Sequence, residues 1–129
     1  FSTKDVNFFI DKIIITDKDK ISYKIKKKLK PYSSENTNKI KINLNINSSK
    51  EVKIIAKDNK GDALMFNLII NSSIEILSND IIEKKYKFVE KFTFKNQANK
   101  FELEQYKRSL EEELIDKIFE KLILNLRTY

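Results

Sequence analysis

The sequence predicts an α+β fold: a two-layer sandwich in which a mainly antiparallel four-stranded sheet carries two helices on one face, in the order β-α-β-β-β-α. Three observations carry this expectation. Apolar and polar residues alternate through much of 40–94, the period of strands with one buried face. From 101 to 127 the period lengthens to four, as along one side of a helix. Short polar turns separate the alternating runs, which joins consecutive strands into an antiparallel meander.

Residues 8–16 read FFIDKIIIT, a β-branched and aromatic run suited to a buried strand. Asp17 or Asp19 then caps a helix whose apolar face is Ile21, Ile25 and Leu29. Pro31 ends that helix because its ring clashes with the preceding turn, and PYSSENTN continues as a loop. Ile40, Ile42, Leu44 and Ile46 alternate with Lys and Asn, and the same even parity resumes at Val52, Ile54 and Ala56. This is one long strand, or two with a break near Ser48 and Ser49. Residues 58–61, DNKG, form a hairpin turn in which Gly61 takes positive φ. Leu64, Phe66, Leu68, Ile70, Ile74 and Ile76 bring the pattern back, and Ser78, Asn79 and Asp80 turn it again. Ile82, Tyr86, Phe88, Phe92 and Phe94 make the last strand. The closing helix carries Tyr106, Leu110, Leu114, Ile118, Leu122 and Leu126, widened by Leu103, Ile115, Phe119 and Ile123. Glu104 with Arg108 and Glu113 with Lys117 are favourable i,i+4 pairs on a helix of about 40 Å. The whole chain, 1–129, reads as a single domain without repeat or linker.

Composition narrows the function. There is no Cys and no His, so thiolate nucleophiles, zinc-finger ligand sets and Ser-His-Asp triads are out of reach. Gly61 is the only glycine, too few for a phosphate-cradling loop. The expectation is therefore a non-enzyme with no catalytic residue, no metal and no cofactor. The net charge is +7, yet only Arg108 and Arg127 are arginine. Lysine is a mobile point charge and suits diffuse attraction to an anionic partner better than forked recognition of bases. The excess of Ile, Lys and Asn also fits compositional drift.

Two groups of residues are candidates for contact. The first comprises anion-contact lysines: Lys53, Lys57 and Lys60 around the hairpin tip, and Lys24, Lys27 and Lys28 on the first helix. The second is the odd-numbered sheet face, where Asn43, Asn45, Asn67 and Asn71 offer hydrogen bonds to a polar wall or a wet cavity. Both also fit ordinary solvated surfaces of a lysine-rich protein. Ile55, Met65, Ile69 and Val89 interrupt the polar face and form a small apolar group suited to a partner. Glu111, Glu112, Glu113 and Asp116 read as acids spread around the solvated side of the last helix.

The stretch FTFKNQANKFELEQYKRSLEEELIDKIFEKLILNL resembles the end of the LptE family of lipopolysaccharide-assembly lipoproteins, especially its α-proteobacterial branch. There an aromatic strand passes through an Asn-containing turn into a long terminal helix, here 95–99 with Phe101 and Glu104 opening the helix and Leu114, Ile118 and Leu122 keeping its rhythm. The opening FFIDKIIITDKDKISYKIKKKLK is similar to the family's first strand and helix. The resemblance implies an outer-membrane lipoprotein on the periplasmic face that plugs the LptD β-barrel, assists its assembly and contacts lipopolysaccharide. It implies membrane attachment through an N-terminal lipidated Cys, which this chain does not contain. The chain opens with Phe1, so the natural start and any signal segment are expected upstream. Nucleic acid is not an expected partner. The alternatives are a basic nucleic-acid-binding α+β module, a periplasmic adaptor of similar fold with another partner and, most remotely, an enzyme using Glu112 or Asp116.

Overall fold

A computed structural model of the chain describes residues 6–16 and 18–129. The elements run β1 (Phe8–Ile15), α1 (Lys20–Leu29), a short 3-10 turn (Lys30–Tyr32), β2 (Ile40–Lys57), β3 (Ala63–Ser78), β4 (Ile81–Lys95) and α2 (Lys100–Leu126). They form the α+β arrangement expected from the sequence. The sheet order is β1-β2-β3-β4. β1 lies parallel to β2, as a helical crossover requires, and the remaining neighbours are antiparallel. The β2–β3 turn has Asp58 Oδ1 accepting from the amides of Lys60 and Asp62, with Gly61 at φ 86°. The β3–β4 turn places Asn79 and Asp80 at positive φ, the backbone that a two-residue hairpin demands and that Asn and Asp tolerate.

Even-numbered residues of the central strands face the helices. Ile42, Leu44, Ile46, Leu68, Ile70, Ile74 and Ile76 are buried there, together with Phe88 and Phe94 of β4. From α1 come Ile21, Ile25 and Leu29, and from α2 come Leu110, Leu114, Ile115, Ile118, Leu122, Ile123 and Leu126. Phe94 stacks on Phe66 at 5.3 Å and meets Tyr106 edge-on at 6.0 Å, which pins the N-terminal half of α2 to the sheet.

Several local expectations change. Of the two forms the sequence left open for β2, the single long strand is the one present, 18 residues with no break at Ser48 and Ser49. Ser48 simply occupies a core-facing position, directly opposite Ser72. β1 does not keep one parity, because a bulge falls between Ile10 and Lys12. Phe8 and Ile10 pair with Ile40 and Ile42, whereas Ile13 and Ile15 pair with Leu44 and Ile46, so the core side moves from even to odd positions. A second irregularity sets Ile82 opposite Leu77, off the core parity expected of it. Pro31 ends α1 only as a regular helix, since the chain goes on as the 3-10 turn and carries Tyr32 into the core, where it stacks on Phe8 at 6.1 Å. Val52, Ile54, Leu64 and Phe92 have the even parity of the core but stay 37–52% exposed. The sheet extends beyond the cover that the helices provide.

Asp19 caps α1, and Asp17 lies outside the described residues. Asp19 Oδ1 accepts from the Ser22 amide at 2.9 Å. Its Oδ2 accepts from Ser22 Oγ at 2.6 Å and from the Ser48 amide at 2.7 Å. That second bond has a structural cause. β1 pairing ends at Ile15 opposite Ile46, so Ser48 lies just past the last strand partner on that side, and Asp19 supplies the missing acceptor. Ser22 Oγ stands 2.8 Å from Ser48 Oγ, which stands 2.8 Å from Ser72 Oγ. Ser22 and Ser72 are fully buried, so this chain of hydroxyls ends on a carboxylate instead of being stranded in the core.

Asp19→Ala removes a cap and orphans the Ser48 amide together, and we expect it to lower the unfolding free energy by about 2–4 kcal/mol. Asp19→Asn keeps an acceptor and should cost less than half as much. Urea unfolding followed by circular dichroism measures both, and equal losses in the two variants would contradict the double role. Ile74→Ala, at a fully buried position facing the helices, should cost about 2–5 kcal/mol in the same experiment.

Candidate functional site

The face of the sheet away from the helices is built from rows that cross β2, β3 and β4. Asn45 lies beside Glu75 and Lys85, Asn47 beside Ser73 and Lys87, Ser49 beside Asn71 and Val89, and Lys53 beside Asn67 and Thr93. All four asparagines singled out in the sequence therefore share this open face. Their tasks differ. Asn43 Oδ1 accepts from the Lys12 amide at 3.0 Å and so closes the β1 bulge. Asn67 Oδ1 accepts from the Thr93 hydroxyl. Asn45 Nδ2 donates to Glu75 at 3.2 Å, while its Oδ1 is buried without a hydrogen-bond partner among the described residues. Asn71 is half-buried beside a shallow recess shared with Asn47, Ser49, Ser73 and Lys87.

The proximal part of this face is a trough of about 710 Å³, lined by Ile14, Thr16, Asn45, Asn47, Ser73, Glu75, Lys85 and Lys87. Glu75 and Lys85 pair across it at 3.6 Å. Chemically it offers amide and ammonium hydrogen-bond donors with one carboxylate. Further along, Ile55 and Val89 are 47% and 42% exposed, while Met65 and Ile69 are half-buried. The apolar interruption of the polar face thus opens to solvent at two of its four residues.

The lysine candidates separate into different environments. Lys57 and Lys60 stand at the β2–β3 tip beside Asp58 and Asp62. Lys53 is four residues further down β2, about 13 Å away along the strand, with Glu51 at 3.8 Å. On α1, Lys24 and Lys28 turn toward α2, where Lys24 pairs with Glu112 at 2.6 Å and Lys28 with Asp116. Lys27 turns the other way, into a second groove between α1 and β1 shared with Lys26 and Lys30. The helical turn divides what the sequence shows as one cationic block.

The acids of α2 are likewise not merely solvated. Glu111 lies 3.5 Å from Lys50, and with the Lys24–Glu112 and Lys28–Asp116 pairs this makes a seam joining α2 to both β2 and α1. Glu104 pairs with Lys107 at i+3. Lys50 and Glu90 occupy core-parity positions on either side of Ile70, and Lys121 of α2 pairs with Glu90. Sequence reasoning passed over these two residues. The signal was a charge at a core-parity position, which requires a partner from the covering layer. Among the described residues, no group of three carboxylates converges to hold a metal ion. No helix among the described residues is long and apolar enough to cross a membrane.

Glu112 holds the Lys24 ammonium above its ordinary value of 10.5 by hydrogen bonding, against the opposing effect of burial. Tyr129 is pushed up from 10.0 to about 12, first by burial and then by donating its hydroxyl proton to Glu83.

No family model matches the sequence, and neither does any curated protein. The fold, in contrast, recurs in solved bacterial lipoproteins. A minor lipoprotein from Acinetobacter baumannii aligns over 95% of this chain and 91% of its own, with TM-score 0.69 and 13% identity. The rare lipoprotein B from Shewanella oneidensis aligns over 88% and 95%, with TM-score 0.59 and 11% identity. A lipoprotein B from Nitrosomonas europaea aligns over 95% and 82%, with TM-score 0.63 and 12% identity. The chain is thus similar in architecture, along nearly its whole length, to rare and minor lipoproteins of bacteria.

The raised value at Tyr129 makes a pH prediction. The native state holds this proton more tightly than the unfolded chain, so its stabilising contribution is complete below pH 10.0 and fades as pH rises through about 12. Glu83→Gln should lower the midpoint of the Tyr129 ring, followed by the ¹³Cζ chemical shift. An unchanged midpoint would exclude the Glu83 contribution.

Proposed function

We propose that this chain is the folded domain of a non-enzymatic outer-membrane lipoprotein of the LptE kind, which plugs and helps assemble a lipopolysaccharide-exporting β-barrel of the LptD kind. The observation that carries the proposal is the shared architecture with rare and minor lipoproteins over 88–95% of the chain. It agrees with the resemblance visible in the first strand, the first helix and the terminal helix. The polar open face supports the same reading, since a wet barrel lumen presents a hydrogen-bonding wall and Asn45, Asn67 and Asn71 lie where such a wall would meet the sheet. A membrane anchor upstream of Phe1 and a location on the periplasmic side of the outer membrane complete the proposal.

Within it, Lys53, Lys57 and Lys60 meet the phosphates of lipopolysaccharide. Lys24 and Lys28 contribute less, because each already neutralises an acid of α2. Lys27 has its charge available beside β1. No residue is assigned a catalytic task.

Two measurements test this. Full-length protein recovered from native outer membranes should bring a β-barrel with it, and photo-crosslinkers at positions 67 and 71 should capture that barrel. Recovery without any barrel would refute the plug assignment. Replacing Lys53, Lys57 and Lys60 by alanine should weaken lipopolysaccharide binding about 100-fold, taking roughly 1 kcal/mol per lysine at an anionic surface. Preserved binding in that variant, or tighter binding of polynucleotide than of lipopolysaccharide by the unaltered protein, would overturn the assignment.

A further inference from the structure

β1 forms one edge of the sheet, and its outer side meets no strand among the described residues. Beside it, α1 leaves a groove of about 710 Å³. Ile10, Ile13 and Leu29 line it from the core side, and Ile14 and Tyr23 stand at its borders, 59% and 45% exposed. Lys12, Lys26, Lys27 and Lys30 surround it, with Asp11 the one acid in the lining. None of these four lysines has an acidic partner among the described residues. Edge strands are ordinarily guarded by charge, proline or a bulge. β1 has that guard at Asp11 and Lys12, where the bulge falls, but Ile13, Ile14 and Ile15 beyond it have none.

We propose that this groove receives an extended acidic segment of a partner polypeptide, which adds to β1 as a fifth strand of the sheet. Each part of the groove matches such a guest. The edge supplies unpaired backbone N–H and C=O groups at every second residue, which another strand satisfies. The guest's alternate side chains fall beside Ile13 on the helix side and beside Ile14 on the open side. Its carboxylates meet Lys26, Lys27 and Lys30.

Two other occupants fit less well. An anionic lipid would match the lysines, but its acyl chain would cover the β1 backbone edge without satisfying it. A second copy pairing edge to edge would bring the same lysines against one another. The proposal goes beyond the barrel-plug reading and does not depend on it.

The test uses the full chain and synthetic probes: a short peptide alternating valine with aspartate, its counterpart with lysine in place of aspartate, the acidic peptide with alternate amides N-methylated, and lysophosphatidylglycerol. The acidic peptide should slow hydrogen exchange of outward-facing amides within residues 13–16 by about tenfold or more. Lys27→Ala together with Lys30→Ala, both exposed or half-exposed surface changes, should weaken its binding about tenfold, and added salt should do the same. The lysine and N-methylated peptides should leave exchange unaltered. Unaltered exchange with the acidic peptide, equal binding of the lysine peptide, or protection by the lysolipid alone would each overturn the proposal. Because no barrel or lipopolysaccharide is present, failure here leaves the plug assignment standing.

Discussion

The unequal length of the first two strands governs much of this molecule. β1 supplies eight residues and its pairing stops at Ile46, while β2 continues to Lys57. A strand that outruns its neighbour exposes backbone amides on that side, and water or a side chain must satisfy them. Asp19 meets the first of them at Ser48, and in doing so it anchors the start of α1 over the middle of the sheet. The position of α1 in turn decides which apolar side chains are covered. Leu44 and Ile46 lie beneath the helical layer, whereas Val52 and Ile54 continue the same pattern past its end and remain about half exposed.

The same placement sorts the charges. α1 sits close enough to α2 for Lys24 and Lys28 to reach Glu112 and Asp116. Such exposed pairs add little stability singly, but they withdraw two lysines and two acids from the outer surface. The opposite flank of α1 keeps its lysines beside the β1 edge, where no carboxylate of α2 reaches them. A chain of net charge +7 thus shows distinct basic regions separated by a neutralised seam. The open face of asparagine and serine lies on the other side of the sheet from that seam and carries lysines of its own, among them Lys53, Lys85 and Lys87.

Much of the architecture was legible because the physics is local. Alternation from Ile40 to Phe94 determines which face of the sheet is apolar, and the four-residue rhythm from Tyr106 to Leu126 determines the apolar side of α2. The features that escaped depend on a neighbour. The bulge in β1 is hinted at by apolar pairs Phe8, Ile10 and Ile13, Ile15 on opposite parities, but only pairing with β2 reveals it. Ser48 and Ser72 look like weak points in strands until their hydroxyls meet across the sheet. Tyr32 looks like a loop residue until the 3-10 turn brings it onto Phe8. Parity along the strands is local, so Asn43, Asn45, Asn67 and Asn71 share a face, whereas lysines close in sequence on a helix face different ways.

Composition and periodicity by themselves determined the α+β class, the two apolar layers and the absence of histidine and cysteine chemistry, because side-chain direction repeats with the backbone and residue inventory does not change on folding. Only the tertiary structure decided which lysines are neutralised, where the sheet outruns its helices and where a strand edge is left beside a basic groove. Those properties belong to distances between segments far apart in the chain. Lys24 and Glu112 are 88 positions apart, and no local pattern brings them together.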